Sequence, residues 1–243
     1  MRILVVLGLA ALVHAQPTMT PPRAGFMVDA AQSLRPVLGV PGTLLLGDAA
    51  VDEVVSFAFS GKCAIVKTSS SMRVLDASGQ VLFAMDAADG PALFAFTDDG
   101  APALAYVAGR LLRWNGSGFE ALAFNADALQ GEVLAVGAGP VFLVQREDAV
   151  WRVESETGAQ SLLVGVHAPV LLRGDGVAYA DETAVVLRAA GGPERRIDTQ
   201  AAIGGVRWMG DGMIGVTEKD STRQFAVRIT PGRENVSQLP EVQ

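Results

Sequence analysis

Six carboxylates in the second half of the chain fall in short polar breaks between apolar runs. They are Glu147 and Asp148 in RED (146–148), Asp181 and Glu182 in DET (181–183), and Glu218 and Asp220 in EKDSTR (218–223). Carboxylates brought together can hold a cation, or a pair of them can work as general acid and base on one bond. No other residue pattern makes either chemistry specific. GDG at 174–176 and 210–212 lacks the alternating carboxylates of a calcium loop, and an Asp between glycines reads as a tight turn. Beyond His14 there is one histidine, His167, in LLVGVHAPVLL, so a zinc site built on two histidines is excluded. A Ser-His-Asp triad would have to use His167, and no Gly-x-Ser-x-Gly elbow accompanies it. GVPGTL (39–44) and AVGAGPV (135–141) lack the Lys-Ser/Thr of a phosphate loop. The single cysteine, Cys63 in KCAIVKT, has no partner for an internal disulfide and reads as a small buried residue. No catalytic residue, metal site or cofactor is expected.

Composition narrows the partners. The formal net charge of −7 over 243 residues repels phosphate backbones and anionic lipid, so neither nucleic acid nor direct membrane adsorption is expected. The start, MRILVVLGLAALVHAQP, has a basic residue, an apolar run from Ile3 to Val13 and small residues before Gln16. This is the pattern of a secretory signal peptide, cut after Ala15, and the run is too short to span a bilayer. VLAVGAGPVFLV (133–144) is broken by Gly137, Gly139 and Pro140 and reads as two short strands, so no membrane span is expected in the mature chain. The expected location is secreted or periplasmic. The expected partner is an envelope or extracellular protein, or a small ligand.

The elements that position these residues are read from a repeat. Residues 16–33 are Pro-containing and without clear periodicity, and are expected to form a flexible leader. Beyond residue 53, short apolar or alternating runs are cut by Gly-rich turns, an all-β signature. Gly61, Gly100, Gly139, Gly176 and Gly212 recur at intervals of 39, 39, 37 and 36. Gly79, Gly118, Gly158, Gly192 and Gly232 interleave with them at 39, 40, 34 and 40, each after a run carrying one arginine: Arg73, Arg113, Arg152, Arg188 and Arg228. Two hairpin turns per period give four strands, A to D, per unit, which is the mark of propeller blades. The units are 54–91, 92–131, 132–167, 168–202 and 203–243. The arginines lie on strand C, where the aliphatic stem covers apolar surface and the head reaches water. Trp114, Trp151 and Trp208 are expected to pack between blades.

AFTDDGAPALAY (95–106) resembles the repeat of bacterial Tol-type and WD-repeat-like propellers, and FAFSGKCAIV and RWMGDGMIGV resemble weaker copies of it. VLDASGQVLFAMD (74–86) is similar to the outer hairpin of YVTN-type propellers. The resemblance covers residues 54–243 and implies a bacterial secreted β-propeller repeat protein. A single domain over 34–243 is expected, with five blades closed by an N-terminal strand within 34–53; six blades, one incomplete, is the alternative. AQSLRPVLGV (31–40) resembles the strand-D region AQSLLVGVHA (159–168), which suits the closing role.

Antiparallel alternation puts B–C and D–A loops on one face of such a ring. Glu147, Asp148, Asp181, Glu182, Glu218 and Asp220 then share that face, joined by His167 and by Asp86 or Asp89 from D–A loops. The resemblance implies that binding propellers use this face. The function expected is that of a non-catalytic binding or scaffold module. The alternative is a hydrolase or lyase that uses the loop carboxylates. Arg173-Gly174-Asp175, an adhesion-like tripeptide, coincides with an A–B turn and reads as turn chemistry.

Overall fold

A computed structural model describes residues 22–40, 42–210 and 212–240. The signal segment 1–15 and its cut after Ala15 lie outside the described residues. The described chain forms six antiparallel sheets, and its one helical element is a short 3-10 turn at Ala126–Leu129. The first sheet holds β1 (Arg23–Val28), β2 (Leu34–Val40) and β3 (Thr43–Leu46). The second holds β4 (Val54–Phe59), β5 (Cys63–Thr68), β6 (Ser71–Asp76) and β7 (Val81–Asp86). The third holds β8 (Ala92–Phe96), β9 (Pro102–Val107), β10 (Arg110–Trp114) and β11 (Phe119–Leu122). The fourth holds β12 (Glu132–Val136), β13 (Val141–Arg146), β14 (Ala149–Glu154) and β15 (Gln160–Leu162). The fifth holds β16 (Val170–Arg173), β17 (Gly176–Asp181), β18 (Ala184–Arg188) and β19 (Arg195–Asp198). The sixth holds β20 (Ile203–Gly210), β21 (Met213–Glu218), β22 (Gln224–Arg228) and β23 (Asn235–Gln238). This is an all-β propeller whose last five sheets are four-stranded meanders with neighbouring strands in sequence order.

Burial explains the composition of the second strand in each sheet. Ala64, Ile65 and Val66 on β5 are consecutive and all fully buried, as are Phe142, Leu143 and Val144 on β13. Alternate residues of such a strand serve different interfaces. Ala64 and Val66 pack towards the first sheet, while Cys63 and Ile65 pack towards the third. A strand covered on both faces must be apolar at successive positions, which is why these stretches read as continuous runs. Six apolar clusters result, one per neighbouring pair of sheets, and the sixth joins Met209, Ala226 and Leu239 to Met27 and Val37 of the first sheet. Each fully buried large apolar side chain contributes about 1.5–3 kcal/mol. Cys63 is a small member of the cluster between the second and third sheets, and burial pushes its thiol pKa up.

The count of five blades is corrected to six. Residues 23–28, expected within a flexible leader, form β1, with Phe26 fully buried. Residues 34–40, expected to close the last blade, form β2 and pair with β1 and β3 instead. The outermost strand of the sixth sheet, β23, pairs with β22, and among the described residues no N-terminal strand adds to it. The first strand was hidden because the turn joining β1 to β2 is not made by glycine, unlike the β2–β3 turn, where Gly42 holds φ 97°. The Asp29 carboxylate accepts from the backbone N–H of Ala31 and Ser33, each at 2.9 Å, and Gln32 takes the left-handed conformation at φ 60°. The other Asp29 oxygen accepts from Arg35 Nε at 2.6 Å.

The first sheet is also incomplete at the axis. Val28 at the end of β1 accepts a hydrogen bond from Gln224 on β22, which through Thr217 is level with Gly205 near the start of β20, while Ala24 lies against Gly210 at its end. Thus β1 runs opposite to β20. It sits behind β20 and β4, which touch each other directly, and the close approach is possible because Gly25 has no Cβ to meet the Met209 carbonyl. Five strands, β4, β8, β12, β16 and β20, line the central space.

In the A–B turns, Gly61, Gly100 and Gly212 hold positive φ, whereas in the fifth sheet that conformation falls on Gly174, two residues before the repeat glycine Gly176. Arg173 lies over the Trp208 ring at 5.5 Å, and Asp175 accepts from Arg152 of the fourth sheet at 2.7 Å. The tripeptide is therefore a hairpin whose charged side chains are engaged with neighbouring blades.

Two outcomes follow. Burial alone pushes the Asp29 carboxyl pKa up, but the Arg35 hydrogen bond and the two backbone donors outweigh it and hold it below the usual carboxylate value. Asp29→Ala should cost about 2–3 kcal/mol in denaturant unfolding at pH 7. A depressed folded pKa contributes stability above the unfolded value near ~4 and loses it as pH falls through the folded pKa. The gap between wild type and variant should therefore hold from neutral pH to about 5 and shrink below about 4; a gap unchanged on acidification counts against the clamp. Purified protein should also support no cell attachment that an RGD peptide competes away, and such attachment would show the tripeptide leaving its contacts.

Candidate functional site

The carboxylates singled out by the sequence divide into two groups. Glu147, Asp148, Glu182 and Asp220 are exposed at the tips of B–C turns in the fourth, fifth and sixth sheets. Three of them hold the left-handed backbone conformation, Glu147 at φ 52°, Glu182 at φ 53° and Asp220 at φ 57°. The corresponding turn of the third sheet uses Ala108-Gly109. Left-handed positions favour Gly, Asn and Asp, so the glutamates Glu147 and Glu182 are held there at a backbone cost. Asp86 and Asp89, at the D–A connection after β7, are likewise exposed.

The second group is already partnered. Arg196 Nη1 donates to Asp181, and His167 Nε2 stands 3.9 Å from the other oxygen of that carboxylate. The imidazole is half exposed and meets the Tyr179 ring edge-on at 5.6 Å. Arg223 grips Glu218 with two hydrogen bonds of 2.6 Å, and that contact, with Ser221, lowers the Glu218 pKa. Among the described residues no group of three His, Cys, Asp or Glu is arranged to hold a metal ion. The fold thus brings His167 and Asp181 together and leaves the turn-tip acids separate, blade by blade.

Of the strand-C arginines, two reach further than expected. Arg152 bridges to Asp175, and Arg188 pairs with Glu194 at 2.8 Å while lying over the Tyr179 ring. Trp114 packs edge-on against Phe83 and Phe119, and Arg146 covers Trp151.

The residue that sequence reasoning missed is Arg207, on the innermost strand β20. Its Nη1 donates to Thr217 Oγ1 at 3.2 Å, its Nη2 donates to Gln224 Oε1, and its guanidinium lies 5.4 Å from the Phe57 ring centre. Its Nε is buried without a hydrogen-bond partner, and among the described residues no carboxylate forms an ion pair with it. Burial brings its pKa down to about 10, which leaves it charged at neutral pH. Arg207 lines a central cavity of about 500 Å³ that opens between the D–A and B–C loops, beside Pro91, Ala108 and Ala168. At the opposite end, near Phe96 and Arg173, the space narrows to about 50 Å³. The signal that could have found Arg207 is its register. The matching inner-strand positions in the second to fifth sheets are Ala58, Ala95, Ala135 and Leu171.

No helix among the described residues is long and apolar enough to cross a membrane. No protein-family description matches the chain, and no curated protein is similar to it. Solved structures are similar at low identity. PorZ, a surface component of the type-IX secretion system of Porphyromonas gingivalis, aligns at 14% identity and TM-score 0.48, over 92% of this chain and 39% of PorZ. The chain therefore spans well under half the length of PorZ. The WD40 domain of Neurospora crassa Pan2 aligns at 12% identity and TM-score 0.48, covering 92% of this chain and 80% of that one. A streptogramin B lyase aligns at 11% identity and TM-score 0.45, covering 92% and 84%.

Proposed function

We propose that this chain is an exported, non-catalytic propeller that works as a binding or scaffold module. Its B–C/D–A face engages a basic segment of an envelope or extracellular protein. Export rests on the MRILVVLGLAALVHAQP start. The binding face rests on one observation above the others. Carboxylates occupy left-handed turn positions in three consecutive blades, at Glu147, Glu182 and Asp220, where glycine would relieve the backbone. Acids kept at such sites trade stability for an exposed, rigidly mounted row of negative charge. The sheets beneath are fixed on both faces, so the row is preorganised and a partner orders few groups on binding.

A trade of this kind has two readouts. Glu147→Gly and Glu182→Gly should each stabilise the protein by about 0.5–1 kcal/mol in denaturant unfolding, because the strained conformation is removed. The immobilised wild-type protein should retain a basic partner from envelope extract or culture medium, in a salt-sensitive manner, and the double variant should lose it. Capture that survives in the double variant would remove the turn acids from the interface. Turnover of a glycan, lactone or peptide by the purified protein would replace this reading with an enzyme that uses the loop carboxylates.

A further inference from the structure

We propose that the central cavity is a binding site for a small organic carboxylate with an apolar body, anchored by Arg207. The site lies inside the ring and goes beyond the acidic face of the preceding reading.

The repeat shows that the position was rebuilt for a long side chain. In the second to fifth sheets the inner-strand residues Ala58, Ala95, Ala135 and Leu171 stand opposite Ile65, Leu104, Leu143 and Ala178 on the next strand. In the sixth sheet the pair is Arg207 opposite Gly215. A Cβ on Gly215 would stand 2.8 Å from Met209 Cγ and 3.2 Å from Arg207 Cγ, so the glycine makes room for the arginine stem. The space itself comes from the first sheet, which contributes no strand to the axis. A leucine, as at the equivalent position 171, would supply bulk without bringing in a charge.

Among the described residues the Arg207 charge has no ion-pair partner. Thr217 and Gln224 are neutral acceptors, the Phe57 ring is a neutral partner, and Nε is buried without any. A cation in a low-dielectric site that is paired only with neutral groups favours an incoming anion, and a planar guanidinium matches a carboxylate. The rest of the cavity selects the body of the ligand. Its walls include Leu93, Tyr106, Val133, Leu171 and Trp208, and about 500 Å³ suits a molecule of one ring and a short chain. The other charged group on the wall, Glu132, is exposed at the start of β12, two inner strands away from β20 in the ring.

The test compares two probes of one shape by isothermal titration calorimetry on the wild-type protein: 3-phenylpropionate and its uncharged amide, 3-phenylpropionamide. The carboxylate should bind, and the amide should bind at least about tenfold more weakly, the difference expected of a charge-assisted hydrogen bond. Arg207→Gln should erase that preference, and Arg207→Lys should keep part of it. Equal affinity for the two probes, no binding of the carboxylate, or a preference that survives in Arg207→Gln would overturn the proposal. The wild-type comparison decides the matter even where a variant does not fold.

Discussion

The second strand of each four-stranded sheet is buried on both of its faces, and the rest of the architecture depends on this two-sided burial. Ile65 and Val66 are neighbours in sequence but belong to different interfaces, one with the third sheet and one with the first. No sheet is complete as a folded unit, because each needs a neighbour on either side to cover it. The clusters therefore run from sheet to sheet, and Met27 and Val37 return the sequence of contacts to Met209. Loops at the ends of strands held in this way are displayed on a stiff frame, which gives the turn acids fixed positions.

The same constraint explains the irregular first sheet. It supplies two covered faces, through Phe26 and Leu34 towards the second sheet and through Met27 and Val37 towards the sixth, and so satisfies its neighbours. It does so without a strand at the axis, and β20 and β4 meet in front of it. That local gap is where Arg207 and Met209 are accommodated over Gly215. An incomplete blade thus becomes the place where the Arg207 guanidinium enters the channel wall.

Much of this was legible in the sequence. The glycine periods and the continuous apolar runs around Cys63, Ala105, Leu143, Tyr179 and Val216 specify a four-stranded, antiparallel, all-β repeat, because turn geometry and two-sided burial leave direct marks on residue type. The strand β1 left no such mark, since a side chain, Asp29, does the work of a turn glycine between β1 and β2 and the segment follows a Pro-containing stretch. The candidate face was legible only as a row of loop acids. Their partners could not be read, because Arg196 reaches Asp181 across fifteen residues and the intervening strand β18. Arg207 was invisible for a related reason: an arginine in VRWMG has no meaning until the register sets it opposite Gly215.

The central claim is that contacts run through all six sheets and return from the last to the first. It is tested most directly by a double-mutant cycle on Met27 and Met209, which share the cluster between those two sheets. Met27→Ala, Met209→Ala and the double variant would be compared in denaturant unfolding. The structure predicts a coupling of about 0.5–3 kcal/mol, the range for side chains in one cluster. Strictly additive losses would mean that the first and sixth sheets do not pack on each other, and would contradict the six-sheet ring.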